Sequence, residues 1–219
     1  LNEYESNSEQ VILFHLNAFT GIEFTEDSPL NLPATYNNVP YCSYDLRDNN
    51  NPCLNLDQHN FIDLGVNGNQ NSLIITNEIT LEALIYPSST GEYEPIIMKD
   101  DSFVLQFAPG GHYLRGGVFI DGQWRCIDDN QYPIQENTWN HVAFTYNGTV
   151  MKLFLNGILI KQQSQQGQIS TNNNHIYIGK NPRYTQWWYS GKIDNAMISN
   201  SAKESFDILE YNPPYSNMG

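Results

Sequence analysis

Apolar residues recur at every second position through the stretch Thr138–Gln162. This period places alternate side chains on one face of a β-strand, and it fits a helix poorly. Two Asn-Gly pairs, Asn147-Gly148 and Asn156-Gly157, interrupt the alternation. An Asn-Gly pair supplies the positive φ angles of a type I′ turn, so each pair predicts a β-hairpin. The stretch is therefore predicted to form a three-stranded antiparallel meander.

Shorter runs with the same character predict further strands on both sides of the meander. They are Val11–Leu16, Ile79–Tyr86, Glu94–Lys99, Ser102–Phe107, His112–Ile120, Gln123–Asp128, Ile176–Gly179 and Gly191–Ser199. Ser201 stands three residues before Glu204, the spacing of a capping box, which predicts a short C-terminal helix over residues 201–209. Residues 1–10 are predicted to be a polar N-terminal arm, and residues 20–60 a long irregular excursion.

Several of these segments resemble, in order, the strands of one known family. Trp139–Ala143 and Leu153–Gly157 resemble the central signature of laminin-G-like (concanavalin A-like) jelly-roll domains. Phe61–Gly65 resembles the early edge strand of that family, Ile79–Pro87 a long central strand and Tyr189–Ile198 the closing strand. The resemblance implies an all-β fold, a two-sheet antiparallel jelly-roll sandwich. It also implies that residues 1–219 form a single laminin-G-like domain.

Composition narrows the range of partners. The chain has 40% hydrophobic and 13% aromatic residues, enough for a core, but only 16% charged residues and a net charge of −14. Nucleic acids and anionic membranes require clustered Lys and Arg, so this balance argues against both, while permitting a divalent cation. No apolar run approaches the length of a membrane-spanning helix, so membrane insertion is not expected.

Cysteines and one glycosylation motif favour an extracellular or cell-surface location. Cys42 and Cys53 bracket a polar loop and are the natural pair for one disulfide, whereas Cys126 lies in a predicted strand as a buried thiol. Asn147-Gly148-Thr149 matches the acceptor motif for N-glycosylation and falls on a predicted turn, where a glycan could project.

Catalytic chemistry finds little support, and we assign no catalytic residue. A retaining glycosidase needs two carboxyl groups about 5 Å apart. The E-x-D-x-x-E pattern of the laminarinase-like members of the resembled family does not occur. Asp100-Asp101 and Asp128-Asp129 are adjacent pairs, and neighbours on a strand point to opposite faces. A glycoside hydrolase or polysaccharide lyase assembled from distant strands remains as an alternative.

Surplus aromatic residues indicate a candidate site for sugars, whose apolar faces stack on rings while polar groups bind the hydroxyls. Tyr113, Arg115 and Trp124 fall on one predicted hairpin, and Trp187 and Trp188 directly precede the closing strand. An exposed pair of indoles would need a partner to cover it. The alternative is that Trp187 and Trp188 pack against residues 20–60 or a neighbouring subunit. The alternative for the hairpin group is a purely structural role.

The resemblance also implies one structural calcium ion, held between the N-terminal segment and the closing strand. On that basis Asp194 is the candidate ligand and Asp27 its partner. Calcium takes about six to eight oxygen ligands, and the sequence contains no dense run of acidic residues of the D-x-D-x-D-G kind. The alternative for Asp194 is a hydrogen-bonding role in a turn.

These observations favour a non-catalytic, lectin-like or adhesive module that is secreted or surface-displayed and binds a glycan or an extracellular protein. A second hypothesis is a structural subunit of an extracellular filament, coat or larger complex, in which the N-terminal arm and residues 20–60 contact a neighbour. Such a subunit would form homo- or hetero-oligomers.

Overall fold

The computed structural model describes residues 10–14, 35–37, 53–56, 60–65 and 74–206. Fourteen β-strands lie within these residues. They are β1 (Gln10–Phe14), β2 (Thr35–Asn37), β3 (Leu54–Leu56), β4 (Phe61–Asp63), β5 (Ile79–Pro87), β6 (Pro95–Lys99), β7 (Phe103–Phe107), β8 (Leu114–Ile120), β9 (Gln123–Asp128), β10 (Asn140–Tyr146), β11 (Val150–Leu155), β12 (Ile158–Ser164), β13 (Ile176–Ile178) and β14 (Gly191–Ser199). Within this part of the chain, no helix is long and apolar enough to cross a membrane.

The strands form two antiparallel sheets. Sheet A has the order β1-β14-β5-β10-β11-β12, with β3 also paired to β14, and sheet B has the order β2-β4-β13-β6-β7-β8-β9. Non-consecutive strands are neighbours in both sheets, as crossover connections between two layers require. The all-β, two-sheet jelly-roll sandwich predicted from the sequence is confirmed.

The predicted meander is present as β10, β11 and β12, but its two turns differ. Asn156 and Gly157 both have positive φ, 49° and 74°, as a type I′ turn requires. In the first turn Gly148 has a φ of 84°, and Asn147 is not among the residues with positive φ. The Asn147 side-chain oxygen instead accepts the N–H groups of Thr149 and Val150, at 3.0 and 2.8 Å. The hairpin is confirmed, although this Asn stabilises the turn through its side chain.

Alternate residues of the central strands fill the space between the sheets. Ile79, Leu81, Ala83 and Ile85 of β5 belong to this core, while Thr80 and Glu82 alternate with them. The sheets approach each other closely at Gly116 of β8. A Cβ atom built on Gly116 would lie 2.0 Å from the Phe144 ring of β10. A glycine is therefore needed here because Phe144 occupies the space of a side chain.

The C-terminal helix predicted over residues 201–209 is not seen in residues 201–206, and residues 207–209 lie outside the described part of the chain. The backbone of this segment bonds to β5 instead of to itself. The Thr80 hydroxyl donates to the Ser201 carbonyl oxygen (2.7 Å) and accepts the Lys203 N–H (3.0 Å). The Ser201 hydroxyl bonds the Ser199 hydroxyl (3.0 Å), so tertiary contacts replace the capping box.

Two short strands fall within residues 20–60, for which the sequence predicts an irregular excursion. β2 pairs with β4, and β3 pairs with β14. Apart from these strands, Cys53 and Asn60, the segment lies outside the described residues, as do residues 1–9 of the predicted N-terminal arm. Cys42 is among the undescribed residues and Cys53 is fully buried, so their disulfide stays a prediction.

We expect Gly116→Ala to destabilise the sandwich by about 1–3 kcal/mol, because the new methyl group overlaps the Phe144 ring. Urea unfolding followed by fluorescence measures this change. The same substitution should cost less in a Phe144→Leu background, where the ring is absent. Equal costs in the two backgrounds would contradict the close contact between β8 and β10.

Candidate functional site

Sheet B carries an open groove of about 320 Å³ on the face turned away from the core. Strand alternation builds its floor: Leu105 of β7 packs into the core, and the neighbouring Val104 and Gln106 point outward into the groove. We call this surface the groove. Its lining residues are Tyr93, Met98, Asp100, Val104, Gln106, Arg115, Trp124, Cys126, Asn181, Arg183, Tyr184 and Trp187.

Aromatic rings form much of the lining. The half-buried Trp187 ring lies between Tyr93 and Tyr184, with ring centroids 4.6 and 4.5 Å apart. Tyr184 leaves 46% of its surface exposed. Trp124 reaches the groove from edge strand β9 and packs edge-on against Phe119 at 5.4 Å. The rings therefore support one another and still present apolar faces to solvent.

Backbone geometry holds two of these rings in place. Tyr93 has a φ of 56°, a left-handed conformation that non-glycine residues rarely adopt and that here precedes β6. Strained residues of this kind concentrate at functional sites. The side-chain oxygen of Asn181 accepts the N–H groups of Arg183 and Tyr184, at 2.9 and 3.1 Å, which orders the turn that carries the Tyr184 ring.

Both arginines of the lining are ion-paired. The Arg115 guanidinium donates two hydrogen bonds to the Asp128 carboxylate, at 2.5 and 2.8 Å, and lies 5.3 Å from the centre of the Tyr93 ring. Arg183 donates to the carboxylates of Asp100 and Asp101. The groove thus holds cations whose charge is already matched by neighbouring anions.

Two uncharged side chains complete the floor. Gln106 is 6% exposed, and its amide makes no hydrogen bond with another described residue, so its donors and acceptor are available to a ligand. Burial raises the pKa of the Cys126 thiol, an effect that nearby Arg115 opposes and Asp128 adds to. This thiol is therefore neutral at physiological pH, and the thiolate that a nucleophilic cysteine requires is disfavoured.

The structure places three of the five residues proposed for ligand binding in the groove: Arg115, Trp124 and Trp187. Tyr113 directly precedes β8 and is not among the lining residues. Trp188 packs against Phe61 at 5.6 Å, beside the groove.

Sequence reasoning missed Tyr93, Gln106 and Arg183. No local pattern distinguishes Tyr93 or Gln106, whereas Arg183 and Tyr184 belong to the same polar and aromatic run as Trp187.

The two remaining sequence-based assignments stay predictions. Asp194 is 1% exposed, and its carboxylate accepts the Asn195 N–H at 2.8 Å. Asp27, its proposed calcium partner, lies outside the described residues, within which no cluster of three or more His, Cys, Asp or Glu side chains could hold a metal. Asn147, the proposed glycosylation acceptor, lies on the turn between β10 and β11.

A pair of carboxyl groups, Glu94 and Glu136, lies near the turn that carries Tyr93. Burial, reinforced by the charge of Glu136 and opposed by a hydrogen bond from the Gly91 backbone, raises the pKa of Glu94 to about 7. The Thr90 hydroxyl donates to Glu136 at 2.8 Å and also bonds Nδ1 of His112 at 2.7 Å. The Oε2 atom of Glu94 is buried and has no hydrogen-bond partner among the described residues, and Glu94 does not line the groove. This carboxyl is therefore placed to affect stability.

We expect the pH dependence of stability to include a contribution from Glu94. Its pKa in the folded protein, about 7, exceeds its ordinary value of 4.5, so the folded chain retains a proton that the unfolded chain releases. Stability therefore falls as pH rises from 4.5 to 7 and then levels off. Since the carboxyl is partly solvated, this contribution is on the order of 1 kcal/mol, or about 2–4 °C in Tm.

Thermal unfolding of Glu94→Gln at pH 5 and pH 8 measures this contribution, because Gln resembles the protonated acid. The variant should lose less Tm between the two pH values than the wild type. Glu92→Gln, which removes an exposed carboxyl from the same turn, is the matched control and should keep the wild-type slope. Parallel slopes for the wild type and Glu94→Gln would contradict the assignment.

Comparisons with solved structures give the same fold. Domain 4 of AbnA, an extracellular arabinanase from Geobacillus stearothermophilus solved in complex with arabinotriose, matches with a TM-score of 0.62 and 19% identity, covering 89% of this chain and 93% of that one. The binding domain of Paraclostridial Mosquitocidal Protein 1 matches with a TM-score of 0.63 and 14% identity, covering 91% and 50%. The botulinum neurotoxin serotype G binding domain matches with a TM-score of 0.61 and 14% identity, covering 92% and 49%.

The chain therefore spans most of the arabinanase domain but only about half of each of the other two matched chains. Identities this low show a shared fold. No curated protein matches the chain. The sequence profile of the concanavalin A-like lectin/glucanase superfamily matches residues 61–208, which is more than half of the chain. With its jelly-roll fold and this match, the chain belongs to the concanavalin A-like lectin/glucanase superfamily.

Proposed function

We propose that this chain is a non-catalytic module that binds carbohydrate in the groove on the outer face of sheet B. The observation that carries the proposal is one open surface that combines aromatic rings from three separate segments with the Gln106 amide, which bonds no other described residue. Trp124 comes from β9, Tyr93 from the turn before β6, and Tyr184 and Trp187 from the segment before β14. Ligand sites commonly combine apolar rings with a few placed polar groups.

The chemistry of the lining suits a sugar. Pyranose and furanose rings have apolar faces of C–H groups, which stack on Tyr and Trp. Their hydroxyls require both donors and acceptors, and the Gln106 amide supplies both. The carboxylates of Asp100 and Asp128 each have further lone pairs beyond those that bond Arg183 and Arg115.

The titratable groups near the groove support a binding role over turnover. Arg115 and Arg183 are held in ion pairs with carboxylates, so both guanidinium groups stay charged. The carboxyl group with a strongly raised pKa, Glu94, has a buried oxygen. A general acid must lie within hydrogen-bond reach of the bond it cleaves, and Glu94 is not among the groove-lining residues.

The comparisons support an extracellular or cell-surface location. One matched structure is a domain of an extracellular arabinanase in complex with arabinotriose, and two others are the binding domains of a mosquitocidal protein and of a botulinum neurotoxin. A module of this kind meets its ligand outside the cell, in keeping with the proposed glycosylation at Asn147.

We expect Trp187→Ala and Trp124→Ala each to weaken oligosaccharide binding by about tenfold, because each removes a ring that supports the stacking surface. Isothermal titration calorimetry with the best ligand from a glycan array measures the change. Tyr132→Ala is the matched control, since Tyr132 is 49% exposed and does not line the groove. Unchanged binding in both tryptophan variants would contradict the proposed site, and release of shortened products by the wild type would contradict the non-catalytic role.

A further inference from the structure

We propose that the ion pairs of the groove make it selective for uncharged sugars, so that Asp128, Asp100 and Asp101 are specificity-determining residues that exclude acidic polysaccharides. This inference rests on the proposed function and adds a ligand class to it. Carboxylate and sulfate groups of a sugar are bound most strongly by a cationic donor that is free to pair with them. The groove has two guanidinium groups of suitable chemistry, and both are already paired.

Arg115 is the better protected of the two cations. Its side chain is 18% exposed, and both of its hydrogen bonds to Asp128 use the parallel, two-pronged geometry that guanidinium and carboxylate groups favour. Burial lowers the pKa of Arg115, but the hydrogen bond to Asp128 and the charge of that carboxylate oppose burial, and the pKa lies above its ordinary value. An anionic ligand that approached Arg115 would also approach Asp128, whose charge repels it.

Arg183 is neutralised from two sides. Its Nε atom bonds Asp100, which is 10% exposed, and its Nη2 atom bonds Asp101, which is 32% exposed. Two carboxylates against one guanidinium leave this end of the groove with an excess of negative charge. The arginine itself is 49% exposed, so solvent weakens its attraction for a ligand anion further.

The remaining lining residues add no free cation. Apart from Asp100, Arg115 and Arg183, all the described residues of the lining are uncharged. Lys180 lies beside the groove, not in its lining, and its ammonium group sits 3.9 Å from the centre of the Phe61 ring and 5.4 Å from that of Trp188. The whole chain carries a net charge of −14, which repels acidic polymers at longer range.

The test compares neutral and acidic oligosaccharides of equal length. The probes are four-residue arabino-, galacto- and gluco-oligosaccharides on one side, and four-residue oligogalacturonides and oligoalginates on the other. Titration calorimetry at low salt measures both sets. The wild type should bind at least one neutral probe and should bind the acidic probes at least about tenfold more weakly, since like charges oppose their approach.

Asp128→Asn should narrow the preference for neutral over acidic probes by about threefold to tenfold. The reason is that the partly buried guanidinium of Arg115 then has no charged carboxylate at Asp128 and can pair with a ligand anion. The gained binding of acidic probes should weaken as salt is added. Asp121→Asn is the matched control: it removes the same charge from the exposed turn between β8 and β9, outside the groove. If Asp128→Asn does not fold, Asp101→Asn frees the Nη2 atom of Arg183 and makes the same test.

The outcomes distinguish a failure of the proposed selectivity from a failure of the proposed carbohydrate binding. A wild type that binds acidic probes as tightly as neutral ones overturns the selectivity but leaves carbohydrate binding standing. If Asp128→Asn and Asp101→Asn both show the same preference for neutral over acidic probes as the control Asp121→Asn, the role of the ion pairs is overturned. A wild type that binds neither set overturns the proposed function and this inference with it.

Discussion

The alternation of buried and outward side chains along sheet B is the constraint on which the groove depends. Leu105 and Phe107 are held between the sheets, and the intervening Gln106 must therefore face outward. On β8, Leu114 and Gly116 likewise face the core, and Arg115 between them faces the groove. A slip of one residue in either strand would exchange the two faces. The burial that stabilises the sandwich thus also determines which side chains meet at the candidate site.

The floor and the rim of the groove differ in how they are held. The floor belongs to paired strands whose register is set by the core. The rim, with Tyr93 and Tyr184, belongs to turns that depend on a left-handed backbone and on side-chain caps from Asn181. The Trp187 ring contacts both tyrosines and so links the two rim segments.

Local patterns in the sequence were sufficient for the central meander, whereas the two-sheet architecture was predicted from the resemblance to a known family. Alternating burial and the Asn156-Gly157 turn depend on residues close together in the sequence. These signals predicted the meander and both of its hairpins. They failed where a distant group competes for the backbone. The capping-box spacing at Ser201 predicted a helix, but Thr80 on β5 bonds that backbone instead.

The candidate site was predictable only in part, for the same reason. Trp187 and Trp124 stand out because indoles are costly to expose, and Arg115 lies on the same predicted hairpin as Trp124. Tyr93 and Arg183 gain their roles from partners distant in sequence, such as the contact of Tyr93 with Trp187 and the pairing of Arg183 with Asp100. A single sequence carries no signal for contacts of this kind.

The central claim, that the outer face of sheet B is the ligand-binding surface, is tested most directly by mapping a bound sugar on the protein. Backbone and indole N–H resonances can be followed by NMR while a neutral oligosaccharide is added. The account predicts shifts at the side-chain amide of Gln106, the indoles of Trp124 and Trp187, and the backbone from 181 to 187. Shifts confined to sheet A, including its edge strand β12, would contradict it.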